Sequence, residues 1–237
     1  MAKLIAFGDS FTWGSDMADT MRYPEFQKLQ EDDHTLSYLN TYSRSTWQNL
    51  AAEHLGLTYK CLAQEGCSNQ TIYRRFFETA TQFKSDDVIS VNFTWRNRYD
   101  FFDVAQAEWH TVRPGDAAND EYAKLYYKYI QSHNWDQVES LKVINGVVDY
   151  LVQNKLKYII TCIDHLIYTD PTHSSLRIIK QLQKIHADKI VWFEGLGFHE
   201  WSKIKQFPIS PMWHPLEDAH RAGFALLKDN GIFNGLT

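Results

Sequence analysis

Apolar positions along the chain come in short unbroken runs separated by stretches of helical spacing. Leu4-Ile5-Ala6-Phe7 reads as a first strand, and residues 57–62, 88–93, 157–163 and 189–193 read as four more. Between them, Trp47, Leu50, Ala51, His54 and Leu55 repeat at helical intervals after a serine or threonine cap, with Gly56 as the stop. Ile72, Phe76, Phe77, Ala80 and Phe83 mark a second helix, and Val138, Leu141, Ile144, Val147, Val148 and Leu151 mark a long third one over 135–154. Further helices are predicted over 176–186 and 221–228. Alternation of strand and helix implies a parallel sheet with right-handed crossovers, so the expected fold is α/β, a three-layer α/β/α doubly wound domain around a parallel sheet of about five strands. One domain is expected over 1–237. Residues 99–134 interrupt the alternation with a turn at Arg113-Pro114-Gly115-Asp116 and an aromatic stripe, Tyr122, Leu125, Tyr126 and Tyr129. This segment reads as an insertion or lid, its stripe a core face before a ligand platform.

Candidate chemistry begins where the first strand ends. Gly8-Asp9-Ser10 follows it directly, and in an open α/β sheet the carboxyl ends of the strands border the binding crevice. Glycine permits a sharp turn there, and Ser10 is placed to project its hydroxyl as a nucleophile. Taken alone, such a triplet also suits a plain helix cap. At the other end, Trp213-His214-Pro215 precedes a helix-forming stretch, and proline at a first helical position would hold His214 just before that helix. A serine at one end and a histidine at the other suit a Ser-His pair.

These residues resemble the GDSL-type or SGNH hydrolases, whose first block is Gly-Asp-Ser and whose last block places a histidine, often followed by proline, near the C-terminus. The resemblance implies a flavodoxin-like SGNH fold, an acyl-enzyme on Ser10, and His214 as general base. Gln64 to Ile72 looks like the second block, in which the Gly66 amide would join the Ser10 amide in an oxyanion hole. The third block departs from Gly-x-Asn-Asp: aligning Asn92 with the family glycine puts Thr94 on the asparagine, and a shift of two makes Asn92 the donor instead. A second departure is Pro211, which stands where the family has its aspartate. Either a backbone carbonyl orients His214 in a Ser-His dyad, or an acid such as Asp164 or Glu194 arrives from another loop. Asp9, Asn69 and Trp213 complete the candidate site as substrate contacts.

Net charge of -5 argues against a nucleic-acid surface, because phosphate binding needs clustered lysine and arginine. No apolar stretch approaches membrane-spanning length. The N-terminus lacks a secretion-signal pattern, and three scattered cysteines make no disulfide framework, which points to the cytoplasm. Glu31-Asp32-Asp33-His34 reads as a solvated turn, and His214 and His220 are badly spaced to share an ion, so neither metal nor cofactor is expected. The implied function is cleavage of a small-molecule or glycan ester. A third block with threonine and a His-Pro ending looks like variants from tailed phages and bacteria, which adds virion association as an alternative location. Two other functions stay open: an acyltransferase on the same acyl-enzyme, and a non-catalytic binding or structural protein that keeps the scaffold.

Overall fold

The computed structural model describes residues 1–20, 42–169 and 176–236. The predicted turn with Glu31 and His34 lies outside these residues. Four parallel strands form the central sheet: β1 (Lys3–Phe7), β2 (Thr58–Cys61), β3 (Val88–Phe93) and β6 (Lys157–Cys162), in the order β2-β1-β3-β6. Residues 189–193 do not add the expected fifth strand. Ile190 alone forms a parallel bridge to Ile160, because a 3-10 turn at Ala187–Lys189 precedes it and a tight Phe193–Leu196 turn follows.

Side-chain alternation along the strands explains the three layers. Ile5 and Phe7 of β1, with Ile89, Val91 and Phe93 of β3, face α3 (Asn69–Ala80) and α5 (His133–Gln153) through Ile72, Phe76, Leu141, Ile144 and Val148. Leu4 and Ala6, with Val88, face α2 (Trp47–Leu55), α8 (Phe198–Ile204) and α9 (Glu217–Asp229) through Trp47, Phe198, Trp201 and Leu227. Both faces being covered, neighbouring strand residues are alike apolar. Helix starts carry the polar signals: Thr46, Ser68 and Ser132 accept from the backbone amides of Asn49, Thr71 and Trp135.

The insertion after β3 is an antiparallel hairpin, β4 (Tyr99–Asp103) and β5 (Glu108–Val112), followed by a 3-10 turn (Pro114–Ala118) and α4 (Glu121–Tyr129). Asp100 ties it to α3, accepting from Thr71 Oγ1 and Arg74 Nη1, both at 2.7 Å. Of its aromatic stripe, Tyr126 is buried and stacks on Tyr99, whereas Tyr122, Leu125 and Tyr129 are exposed. Two short helices, α6 (Leu166–Thr169) and α7 (Arg177–Ile185), complete the described elements. No helix among the described residues is long and apolar enough to cross a membrane.

Candidate active site

Ser10 opens α1 (Ser10–Trp13), the single turn that leaves the carboxyl end of β1. A side chain at Gly8 would run into Thr12 and the Asn92 carbonyl, so only glycine lets the chain bend this closely against β3. Asp9 is the N-cap: its Oδ1 accepts from the Phe11 amide at 3.1 Å while its carbonyl accepts from Thr12 and Trp13. Its other oxygen accepts from Thr94 Oγ1 at 2.5 Å and from Arg98 Nη1 at 3.1 Å. Asp9 is fully buried and thereby occupied in holding the turn, which corrects its expected role as a substrate contact.

The loop after β2 wraps this turn. Gln64 N and Cys67 Sγ both donate to the Gly8 carbonyl, at 3.0 and 3.5 Å, and Arg98 donates to the Cys67 carbonyl at 2.9 Å. Gly66 turns the loop at φ +68°, where a side chain is strained. Among the described residues, the amides of Ser10 and Gly66 donate to no acceptor. Asn69 binds the Thr94 backbone through both ends of its amide, accepting from the nitrogen at 2.8 Å and donating to the carbonyl at 3.2 Å; it also donates to Ser140 Oγ. Asn69 is therefore a clamp on the β3–β4 connection and not an open substrate contact. Burial drives the Cys67 thiol up, away from reactivity.

His214 comes from a loop closed by an Ile209–Pro215 bridge and a Leu216-to-Pro208 hydrogen bond. Pro215 lies in that bridge; α9 begins two residues later, so the proline does not start the helix as expected. The His214 ring meets Phe11, the neighbour of Ser10, edge to face at 5.5 Å. Its Nδ1 lies 2.8 Å from Oδ2 of Asp16, which also accepts from Ser210 Oγ at 2.6 Å. Asp16 adopts φ +67°, a conformation that aspartate tolerates better than most residues.

Around these groups the environment is part aromatic, part acidic. His199 sits among Phe11, Trp95 and Trp213, with ring centres at 5.9, 5.2 and 6.3 Å. Burial, helped by Lys203 and His214, holds its pKa down to about 4. Its Nε2 is buried without a hydrogen-bond partner among the described residues. Glu65 receives the Ser15 hydroxyl, and burial raises its pKa although Ser15 and His214 oppose the shift.

Comparison with solved structures decides the fold. A carbohydrate esterase whose active site is described as having divergent catalytic and non-catalytic binding functions superposes with a TM-score of 0.51, covering 99% of this chain and 70% of that one at 10% identity. A lipolytic protein of the G-D-S-L family from Veillonella parvula DSM 2008 superposes at 0.49, covering 97% of each chain at 16% identity. The chain shares its α/β/α fold with that carbohydrate esterase. No family model and no curated protein matches the chain.

Within this fold the expected site residues separate. The loop of Gly66 closes on the Ser10 turn at the end of β1, and the His214 ring reaches Phe11 beside Ser10. Asp164 instead caps α6, accepting from Leu166 N at 2.9 Å, and burial raises its pKa against the pull of Arg96. Glu194 pairs with Lys205 Nζ at 2.7 Å on the surface. Neither is the acid at His214; Asp16 is, a residue that sequence analysis left unassigned in the stretch after Gly14. Thr94 directs its only proton at Asp9, whereas the Asn92 amide keeps a buried Nδ2 with no partner among the described residues while its Oδ1 accepts from Thr161. Trp213 is 62% exposed at the rim, under Lys203 Nζ. Among the described residues one trio has its donor atoms close enough for a metal ion, Asp164, His165 and Glu200. Arg96 already brings positive charge to Asp164 there.

Proposed function

We propose that the protein is a serine hydrolase that cleaves carboxylic esters through an acyl-enzyme on Ser10. The observation that carries this reading is the 2.8 Å contact between His214 Nδ1 and Asp16 beside the Gly-Asp-Ser turn. An acceptor at Nδ1 leaves Nε2 as the base and stabilises the imidazolium that forms during attack. Ser10 Oγ adds to the ester carbonyl and its proton passes to His214. The tetrahedral oxyanion is held by the Ser10 and Gly66 amides, each donor contributing about 3 kcal/mol. Asn92 Nδ2 is the third donor in this account, and Thr94 positions Asp9. Collapse expels the alcohol, which takes the proton from His214. Water then repeats the sequence on the acyl-enzyme, releasing the acid and restoring Ser10.

Small-molecule and glycan esters are the substrate class this reading carries. The non-catalytic alternative drew on the missing acid before the histidine and on the altered third block, and the Asp16 contact at His214 weighs against the first of these. A panel of short-chain 4-nitrophenyl esters and acetylated sugars tests the proposal. Wild type is expected to release acid, while Ser10→Ala and His214→Ala each lose at least about a hundredfold in turnover and the double variant loses little more. Retention of a tenth or more of turnover by His214→Ala contradicts the assignment. Product formed only when a sugar or amine acceptor is added would favour the transferase.

A further inference from the structure

We propose that Arg113, carried into the site by the insertion, selects esters that bear a carboxylate close to the scissile carbonyl. The inference rests on the hydrolase reading above and names the substrate class of that same site. Arg113 ends the β5 side of the hairpin, and its Nη1 lies 2.7 Å from where a side chain on Gly66 would begin. Glycine at 66 therefore makes room for the guanidinium as well as for the turn. The charge is held in place from behind: Nε and Nη2 donate to the two oxygens of Asp116 at 2.8 and 3.0 Å, and the Arg113 amide donates to the same carboxylate. That bidentate pairing fixes the plane of the guanidinium and keeps it protonated. It also leaves Nη1 as the nitrogen with protons to offer, since among the described residues it has no acceptor.

Neighbouring arginines have acceptors at Nη1: Arg75 donates from it to Gln64 and Arg96 to the Leu166 carbonyl. Arg98 is engaged by Asp9 and the Cys67 carbonyl, and Arg74 by Asp100 with its face on Trp109 at 4.0 Å. Pro114, next in sequence to Arg113, lines a cavity of about 410 Å³ whose walls include Trp95, Arg96, Tyr127, His133 and Asp164. Two acids stand close by: Asp116 holds the far edge of the guanidinium, and Asp164 lines the cavity, while Asp16 is at His214 with Glu65 within electrostatic reach of both. A carboxylate that reaches Gly66 thus meets the open Nη1 of the Arg113–Asp116 pair.

The test compares 4-nitrophenyl butyrate with 4-nitrophenyl hemisuccinate at low ionic strength. Wild type is expected to favour the hemisuccinate by about tenfold or more in kcat/KM, Arg113→Gln to bring the ratio near one, and Arg113→Lys to retain part of it. No preference in wild type, or an equal loss on both esters in Arg113→Gln, overturns the proposal; the guanidinium would then only support Gly66. Calorimetric titration of Ser10→Ala with monomethyl succinate separates this from the hydrolase reading. If wild type hydrolyses neither ester but this ligand binds and Arg113→Gln removes the binding, the hydrolase reading fails and the anion site stands. Binding that is indifferent to Arg113 overturns the proposal whether or not the esters are cleaved.

Discussion

At the scale of single residues, Asp16 carries the account's clearest departure from local sequence logic. A carboxylate at Nδ1 both selects the tautomer and stabilises the imidazolium, so Asp16→Asn is expected to lower turnover by about a hundredfold to ten-thousandfold with folding intact. Asp164→Asn and Glu194→Gln, whose carboxylates cap α6 and pair with Lys205, should each stay within a fewfold of wild type. Steady-state kinetics beside thermal melts checks all three, and a thousandfold loss in either of the latter two would restore an acid from another strand. Asp16 was not legible because its meeting with His214 spans 198 positions and is made by a left-handed turn after α1. No spacing rule links such residues. Thr94 and Asn92 offer a parallel comparison. With the Thr94 proton on Asp9, Thr94→Val should loosen the turn and lower both melting temperature and turnover, whereas Asn92→Ala should lower turnover with the smaller effect on stability. The reverse pattern would make Thr94 the direct donor.

Elements show where the chain's pattern was readable and where tertiary contact took over. The spans of β1 and β3 follow from their apolar runs, and α2, α3 and α5 from helical spacing with a hydroxyl cap at each start. Residues 189–193 have the same apolar character but are pinned between a 3-10 turn and the Phe193–Leu196 turn, leaving one residue to pair. Proline after His214 suggested a helix start, yet its ring is equally at home in the bridge to Ile209. Asn69 is the connection that sequence marked for the wrong reason. Its amide joins the first residue of α3 to the end of β3 through two hydrogen bonds to Thr94 and to α5 through a third to Ser140, all among buried partners. Asn69→Ala is expected to destabilise the fold by about 2–4 kcal/mol, since it leaves the Thr94 amide and carbonyl unpaired. Urea unfolding measures it, and a change below about 0.5 kcal/mol would show the clamp to be dispensable.

Across the whole molecule, four parallel strands covered on both faces bring residues 8–16 against two distant segments, 64–67 and 208–216. The same burial makes stability depend on pH. His220 accepts from the Trp47 amide and burial holds its pKa to about 3, while His199 is held to about 4. Both are depressed below the ordinary histidine value of about 6.5, so the unfolded chain binds protons that the native state refuses. Their contribution is fully present above pH 6.5 and is lost as pH falls toward 4 and then 3, with a slope of up to about 1.4 kcal/mol per unit for each. Melts from pH 7.5 down to 4.5 should show this decline, and His220→Gln should flatten it. A flat profile in wild type would place the histidines in solvent.

Reaction of the folded protein with a fluorophosphonate tests the central claim most directly, because the probe reports an activated serine without knowledge of the substrate. The account predicts a single covalent adduct located on Ser10, absent in Ser10→Ala and formed far more slowly in His214→Ala and Asp16→Asn. Folded wild-type protein that forms no adduct at any pH up to about 9, or forms it on a residue other than Ser10, contradicts the account.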